Sequence, residues 1–146
     1  MKHRMIIMWR LLMGLMLLCL ISGAIAEEIS VSDTEAIRFV VQSQLDAFAE
    51  DDAAKAFALT TSSTRSHLGT PDNFLDLVKK KYPAIYRHRR ALFSMPEMVD
   101  GQAFQAVRLT DNDNFVWLAI YQMQKEFDGN WKIEDCRLLA TASISI

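Results

Sequence analysis

The hydrophobic period of this chain changes once, near Pro83, and that single change limits the fold more than any other feature. Before it, apolar residues recur at helical spacing. After it, they alternate. Helices followed by strands, rather than interleaved with them, signal an α+β domain with an antiparallel sheet. The expected architecture is a set of N-terminal helices packed on a curved antiparallel sheet of about four strands.

The helical half carries its own punctuation. Ser32-x-x-Glu35 reads as a capping box that opens a first helix, with Ile37, Val40, Val41, Leu45 and Phe48 on one face. Glu50-Asp51-Asp52 interrupts the pattern, and Asp51 or Asp52 can cap a shorter helix containing Ala53, Ala56 and Phe57. The polar run Thr60-Thr61-Ser62-Ser63-Thr64 reads as a loop. Thr70 then serves as an N-cap, with Pro71 in the first helical position, where its missing N–H costs nothing. Phe74, Leu77, Val78 and Tyr82 form the buried stripe, Lys79, Lys80 and Lys81 favour the negative end of the helix dipole, and Pro83 ends the helix.

In the alternating half, residues 86–95, 102–110, 115–125 and 131–139 read as strands. Asp111-Asn112-Asp113-Asn114 and Asp128-Gly129-Asn130 supply the turns of an antiparallel meander.

The start of the chain belongs to neither half. Lys2, Arg4 and Arg10 are followed by an apolar run from Leu11 to Ile21, then by Ser22-Gly23-Ala24-Ile25-Ala26, whose Ala24 and Ala26 make a small-x-small cleavage signal. The expectation is a signal peptide over 1–26, cut after Ala26, and a single periplasmic or secreted domain over 27–146. The rival is retention as a membrane anchor, but Arg10 interrupts the stretch, and the run after it is short for a bilayer span of about 20 residues. Stable membrane insertion after cleavage is therefore not expected.

Cleavage changes the balance of the remainder. Of 16 basic residues three leave with the signal, so 13 face 18 acidic ones, a net charge of −5. An acidic domain is a poor candidate for nucleic-acid binding, which needs a basic surplus. Cys19 departs too, so Cys136 stands alone without an intrachain disulfide, and burial as a small core residue is its expected role.

Several segments resemble a known family. They are Phe48-Ala49-Glu50-Asp51-Asp52-Ala53-Ala54-Lys55-Ala56-Phe57, Leu68-Gly69-Thr70-Pro71-Asp72-Asn73-Phe74, Tyr82-Pro83-Ala84-Ile85-Tyr86-Arg87 and Asp128-Gly129-Asn130-Trp131-Lys132-Ile133. They are similar to small exported bacterial proteins grouped as domain of unknown function 4864. The element order resembles the nuclear transport factor 2-like superfamily, which implies a cone in which a curved sheet wraps helices around a pocket. Asp135 departs from the Gly expected before the cysteine in that family. The resemblance brings no catalytic residues.

Residues that could carry chemistry follow from the hairpin between the second and third strands. With Asn112 and Asp113 as a two-residue loop, Arg108 faces Trp117, Ala106 faces Ala119 and Phe104 faces Tyr121. Arg108, Trp117, Tyr121 and Phe104 then share one face, with room above the alanines for a small anionic or amphipathic ligand. Tyr86 and Gln105 could add polar groups. The other face, with Gln105, Val107 and Leu109 against Val116, Leu118 and Ile120, is expected to meet the helices. No His-x-x-His, Cys-x-x-Cys, Walker loop or nucleophile elbow occurs after the signal, so neither metal nor cofactor is called for. The alternating charges of Arg87 to Arg90 suit an edge strand that resists aggregation.

The reading these residues favour is a non-catalytic domain that binds a small ligand or another protein. An isomerase-, dehydratase- or hydrolase-like enzyme using the cone pocket is the alternative, and a homodimer through the sheet face is a third. Cleavage after Ala26 predicts that intact-mass measurement on the protein recovered from expressing cells finds a chain starting at Glu27. A chain starting at Met1 would refute it.

Overall fold

The computed structural model describes residues 27–141. The expected signal peptide over 1–26 lies outside the described residues. Five helices come first: α1 (Val31–Ala49), α2 (Ala53–Ala58), α3 (Ser62–Leu68), α4 (Pro71–Lys81) and α5 (Pro83–Tyr86). Five strands follow: β1 (Arg90–Phe93), β2 (Glu97–Val99), β3 (Gln102–Thr110), β4 (Val116–Lys125) and β5 (Trp131–Ala140). The α+β expectation holds. No helix among the described residues is long and apolar enough to cross a membrane.

The sheet is antiparallel throughout, in the order β1-β3-β4-β5, with β2 also on β3. β1 pairs with residues 107–110 of β3 and β2 with residues 102–104, so the two form one interrupted edge. Pro96, which has no N–H to give a ladder, sits in the break. The buried Gln105 mends the gap. Its Nε2 donates to the carbonyls of Ser94 and Ala106, both at 2.9 Å.

One face of the sheet packs on α1. Ile37, Val41, Leu45 and Phe48 meet Val107, Leu109, Ala119 and Tyr121, all almost wholly withdrawn from water. Phe74 of α4 stands edge-on to Phe48, with ring centroids 5.6 Å apart.

Several boundaries differ from those read in the sequence. The cap of α1 is Ser30, not Ser32: its hydroxyl accepts from the N–H of Asp33. This places Asp33 in the first helical turn, where it accepts from the indole of Trp131 (2.8 Å) and the ammonium of Lys125 (2.9 Å). The polar run after Thr60 is not a loop. Thr61 caps it, accepting from Thr64 N–H, and it forms α3. Pro83 starts α5 rather than only ending α4, so residues 83–86 are helical and the first strand begins at Arg90. The Asp100–Gly101 pair, both with positive φ, turns β2 into β3 as a primed hairpin, and β2 itself lies outside the four strands read in the sequence. The caps at Asp52 and Thr70 and the hairpin at Asp128–Gly129 stand as expected.

The clasp at Asp33 is pH-sensitive. The Trp131 indole and then the Lys125 ammonium hold its carboxyl at about 2. An unfolded Asp titrates near 3.9, so the stabilisation is complete above that value and is lost as pH falls through about 2. Asp33→Asn should therefore lower the urea midpoint at pH 6, and the gap from wild type should narrow towards pH 2. A gap that stays constant with pH would contradict this.

Candidate functional site

The β3–β4 hairpin decides which side chains share a face. Its loop is five residues long, Asp111–Phe115, closed by Asp111 N–H to Phe115 O (3.0 Å) and Asn114 N–H to Asp111 O (3.2 Å). Asn114 takes a left-handed φ of 67°. The carboxylate of Asp111 knots the loop, accepting from the N–H groups of Asp113 and Phe115 at 2.9 Å and from the Trp117 indole at 2.8 Å. These bonds, the indole's first, lower its pKa.

Arg108 consequently pairs with Leu118, Ala106 with Ile120 and Phe104 with Gln122. The register differs by one residue from that of a two-residue loop, and a slip of one exchanges the faces. Arg108 and Phe104 lie on the outer side of the sheet, away from the helices, while Trp117 and Tyr121 face inward. The expected Arg108–Trp117 pair does not form. The dry inner layer keeps Gln105, Val107 and Leu109, but their partners on β4 are Tyr121, Ala119 and Trp117.

Tyr86 is engaged elsewhere. Its hydroxyl donates to Asp51 (2.5 Å), and the Arg87 guanidinium lies over its ring at 3.9 Å. Arg87 also bridges to the Asp51 carboxylate (3.0 Å) and donates to the Phe48 carbonyl (2.5 Å), which closes the end of α1. Of Arg108, Trp117, Tyr121, Phe104 and Tyr86, the candidate ligand contacts, Tyr121 alone lines the pocket described next.

That pocket, of about 120 Å³, lies between the sheet and α1, α3 and α4. Its floor is the buried set Phe48, Phe74, Val78, Ile85 and Tyr121. Half-buried Thr64, Leu68 and Leu77 and exposed Asp135 form the rim. It exists because α3 buries none of its residues. That helix is tied to the sheet by polar bonds at its start instead: Thr61 Oγ1 donates to the Glu134 carboxylate (2.5 Å), Thr64 Oγ1 to the Glu134 carbonyl (2.7 Å), and Thr61 N–H to the Ile133 carbonyl (2.9 Å). Opposite the Gln122–Met123 step, β5 carries an extra residue. This bulge lies at Glu134 and sends Ile133 and Cys136 to the same inner face. Asp135 has no positive φ, so its backbone does not demand the Gly expected there.

The pocket's polar groups are few. Gln44 Nε2 is spent on the Ala56 carbonyl (3.1 Å). Cys136, the free cysteine of the described residues, lies cross-strand from Tyr121, and burial pushes its thiol up to about 12. Tyr121 is fully buried, burial raises its pKa well above the usual phenol value, and its hydroxyl meets no oxygen or nitrogen partner, only the neighbouring Cys136 thiol, a weak one. Both groups are neutral at physiological pH. Glu134 and Asp135 are the charged residues of the lining, and the Asp135 carboxylate lies on the outer face of the sheet, 3.8 Å from Arg137.

The histidines stand apart from this lining. His67 is bonded to the Ser63 carbonyl, and burial lowers the pKa of His88. Among the described residues no cluster of three His, Cys, Asp or Glu side chains could hold a metal ion. Sequence reading missed Gln44 and Glu134. No local signal marks either, because one depends on helix packing and the other on a bulge.

An unpaired buried hydroxyl costs about 1–3 kcal/mol. Tyr121→Phe should therefore raise the unfolding free energy by about 1 kcal/mol in urea titrations. A loss of stability would show that the hydroxyl is satisfied in solution.

Comparison with known proteins adds a family. The model described as Domain of unknown function (DUF4864) matches residues 30–146. No curated protein and no solved structure matches the chain.

Proposed function

The chain thus belongs to the domain of unknown function 4864 family, and from its pocket we propose a binding protein for a small uncharged molecule with an apolar body and one hydrogen-bond acceptor. The observation that carries this is the Tyr121 hydroxyl, buried without an oxygen or nitrogen partner, beside a cavity whose lining is mostly apolar. A ligand carbonyl or ether oxygen would complete its hydrogen bond. The cavity volume of about 120 Å³ approaches the ~150 Å³ that accepts a benzene ring. A ligand, or the inserted end of one, therefore has about five to seven heavy atoms. The lining holds the Glu134 carboxylate and no cation, which disfavours the anionic ligand expected from the Arg108 face.

Binding is favoured over catalysis by the same chemistry. A thiol held at about 12 and a phenol held above its normal range supply neither nucleophile nor base near neutrality. The helix-then-sheet order and a pocket between the layers support placement among nuclear transport factor 2-like folds. The N-terminal pattern supports export, with the pocket working in the periplasm or outside the cell.

Cyclopentanone and cyclopentane make a matched pair of probes. Both should shift the methyl resonances of Ile85 and Ile133 in carbon–proton spectra. The ketone should bind the wild type up to about tenfold more tightly, an advantage worth one neutral hydrogen bond. Tyr121→Phe should erase that advantage while still binding the hydrocarbon. Absence of shifts with either probe would overturn the proposal, as would a ketone preference that survives the substitution.

A further inference from the structure

Among the described residues no helix covers the outer face of the sheet, and its side chains are arranged in rows across the strands. Leu92, Arg108, Leu118 and Leu139 form one row, Ala106, Ile120 and Arg137 the next, and Glu97, Phe104, Gln122 and Asp135 a third. The face is apolar at its centre. Leu92 and Leu139 are each 48% exposed and Val99 50%. It is not flat: hollows of about 240 and 370 Å³ meet at Ala106, so protruding side chains have seats.

Its charges are segregated along the strands. Arg90 and Arg108 stand at one end, and Glu97 and Asp135 towards the other. Arg137, between them, leans to Asp135 at 3.8 Å. Lys132, beyond the acidic row, is turned to the Ala58 carbonyl (2.9 Å). None of Arg90, Arg108 and Glu97 has an ion-pair partner within the described residues.

We infer that this face binds a second copy of the same chain, related by a two-fold axis that lies in the plane of the face and runs across the strands. The charge pattern selects that axis. A two-fold along the strands would stack basic end on basic end. One across the strands reverses the strand direction and lays the basic end of each copy over the acidic end of the other, so each contact is made twice, as an isologous interface requires. Like charges brought face to face cost several kcal/mol, so the rejected orientation is disfavoured even with the same apolar contact.

The size is adequate. Four strands at about 4.8 Å spacing and nine residue rows at about 3.4 Å give a face of roughly 20 by 27 Å. Two such faces bury on the order of 1,000 Å², the lower bound for a specific interface. The inference does not rest on the pocket: Asp135 borders its rim, but Arg108, Glu97 and Leu118 are not among its lining residues.

Sedimentation equilibrium on the protein recovered from cells expressing the full-length sequence tests it. The wild type should be a dimer that weakens with added salt. Leu118→Asp should weaken it at least about tenfold. Arg108→Glu and Glu97→Arg should each weaken it by a similar factor, and the two together should restore much of the affinity, because the exchange reinstates opposite ends. Both exchange sites are solvent-exposed, so folding is not at stake there, and circular dichroism checks the Leu118 variant. A monomer at every concentration would overturn the inference, as would a dimer indifferent to Leu118→Asp. Failure of the double exchange to recover would refute the across-strand axis.

Discussion

The Asp111 carboxylate sets the register on which the rest of the structure depends. By accepting two loop N–H groups and the Trp117 indole, it makes the β3–β4 connection five residues long. With a loop one residue shorter, Tyr121 and Ala119 would turn to solvent, and Leu118 and Ile120 would meet α1. The phenol in the pocket, the apolar outer face and the segregation of Arg108 from Trp117 are all consequences of that count. Two of the tryptophans follow the same logic. Trp117 and Trp131 each donate to an aspartate, Asp111 and Asp33, at opposite ends of the sheet.

Interior polar groups divide by what they accomplish. Gln105 closes a ladder gap beside Pro96, and Gln44 holds the Ala56 carbonyl of α2. Thr61 and Thr64 bind α3 to β5 through Glu134. Each of these replaces a bond that regular structure fails to make. Tyr121 departs from this pattern, since its hydroxyl completes nothing in the fold. A helix rich in Ser and Thr, held by polar tethers instead of packed side chains, leaves open the pocket that Tyr121 lines.

The helices and strands were largely legible because their signals are local. Asp52, Thr70 and the Asp128–Gly129 turn act on their own neighbours, and their roles were read correctly. The errors arose where a local signal had two solutions. Ser30 and Ser32 can each cap a helix, and Asp33's reach to Trp131 and Lys125 accompanies the first choice. Thr60-Thr61-Ser62-Ser63-Thr64 has turn composition, yet Thr61 caps a helix whose start is anchored by β5, some seventy residues later. Of the candidate site residues, Tyr121 lines the pocket, whereas Tyr86 is taken by Asp51 and Arg87.

By itself the sequence determined the class of fold, the order of its elements and most of their caps, because period, turn chemistry and N-cap geometry act over a few residues. Tertiary structure alone decided the pocket and the exposed apolar face. Both depend on parity: one residue more in the Asp111 loop and one more in β5 at Glu134. Alternation along a strand says which residues share a face, but not which face meets the helices. That choice belongs to hydrogen bonds between residues far apart in the chain, where hydrophobic pattern has no reach.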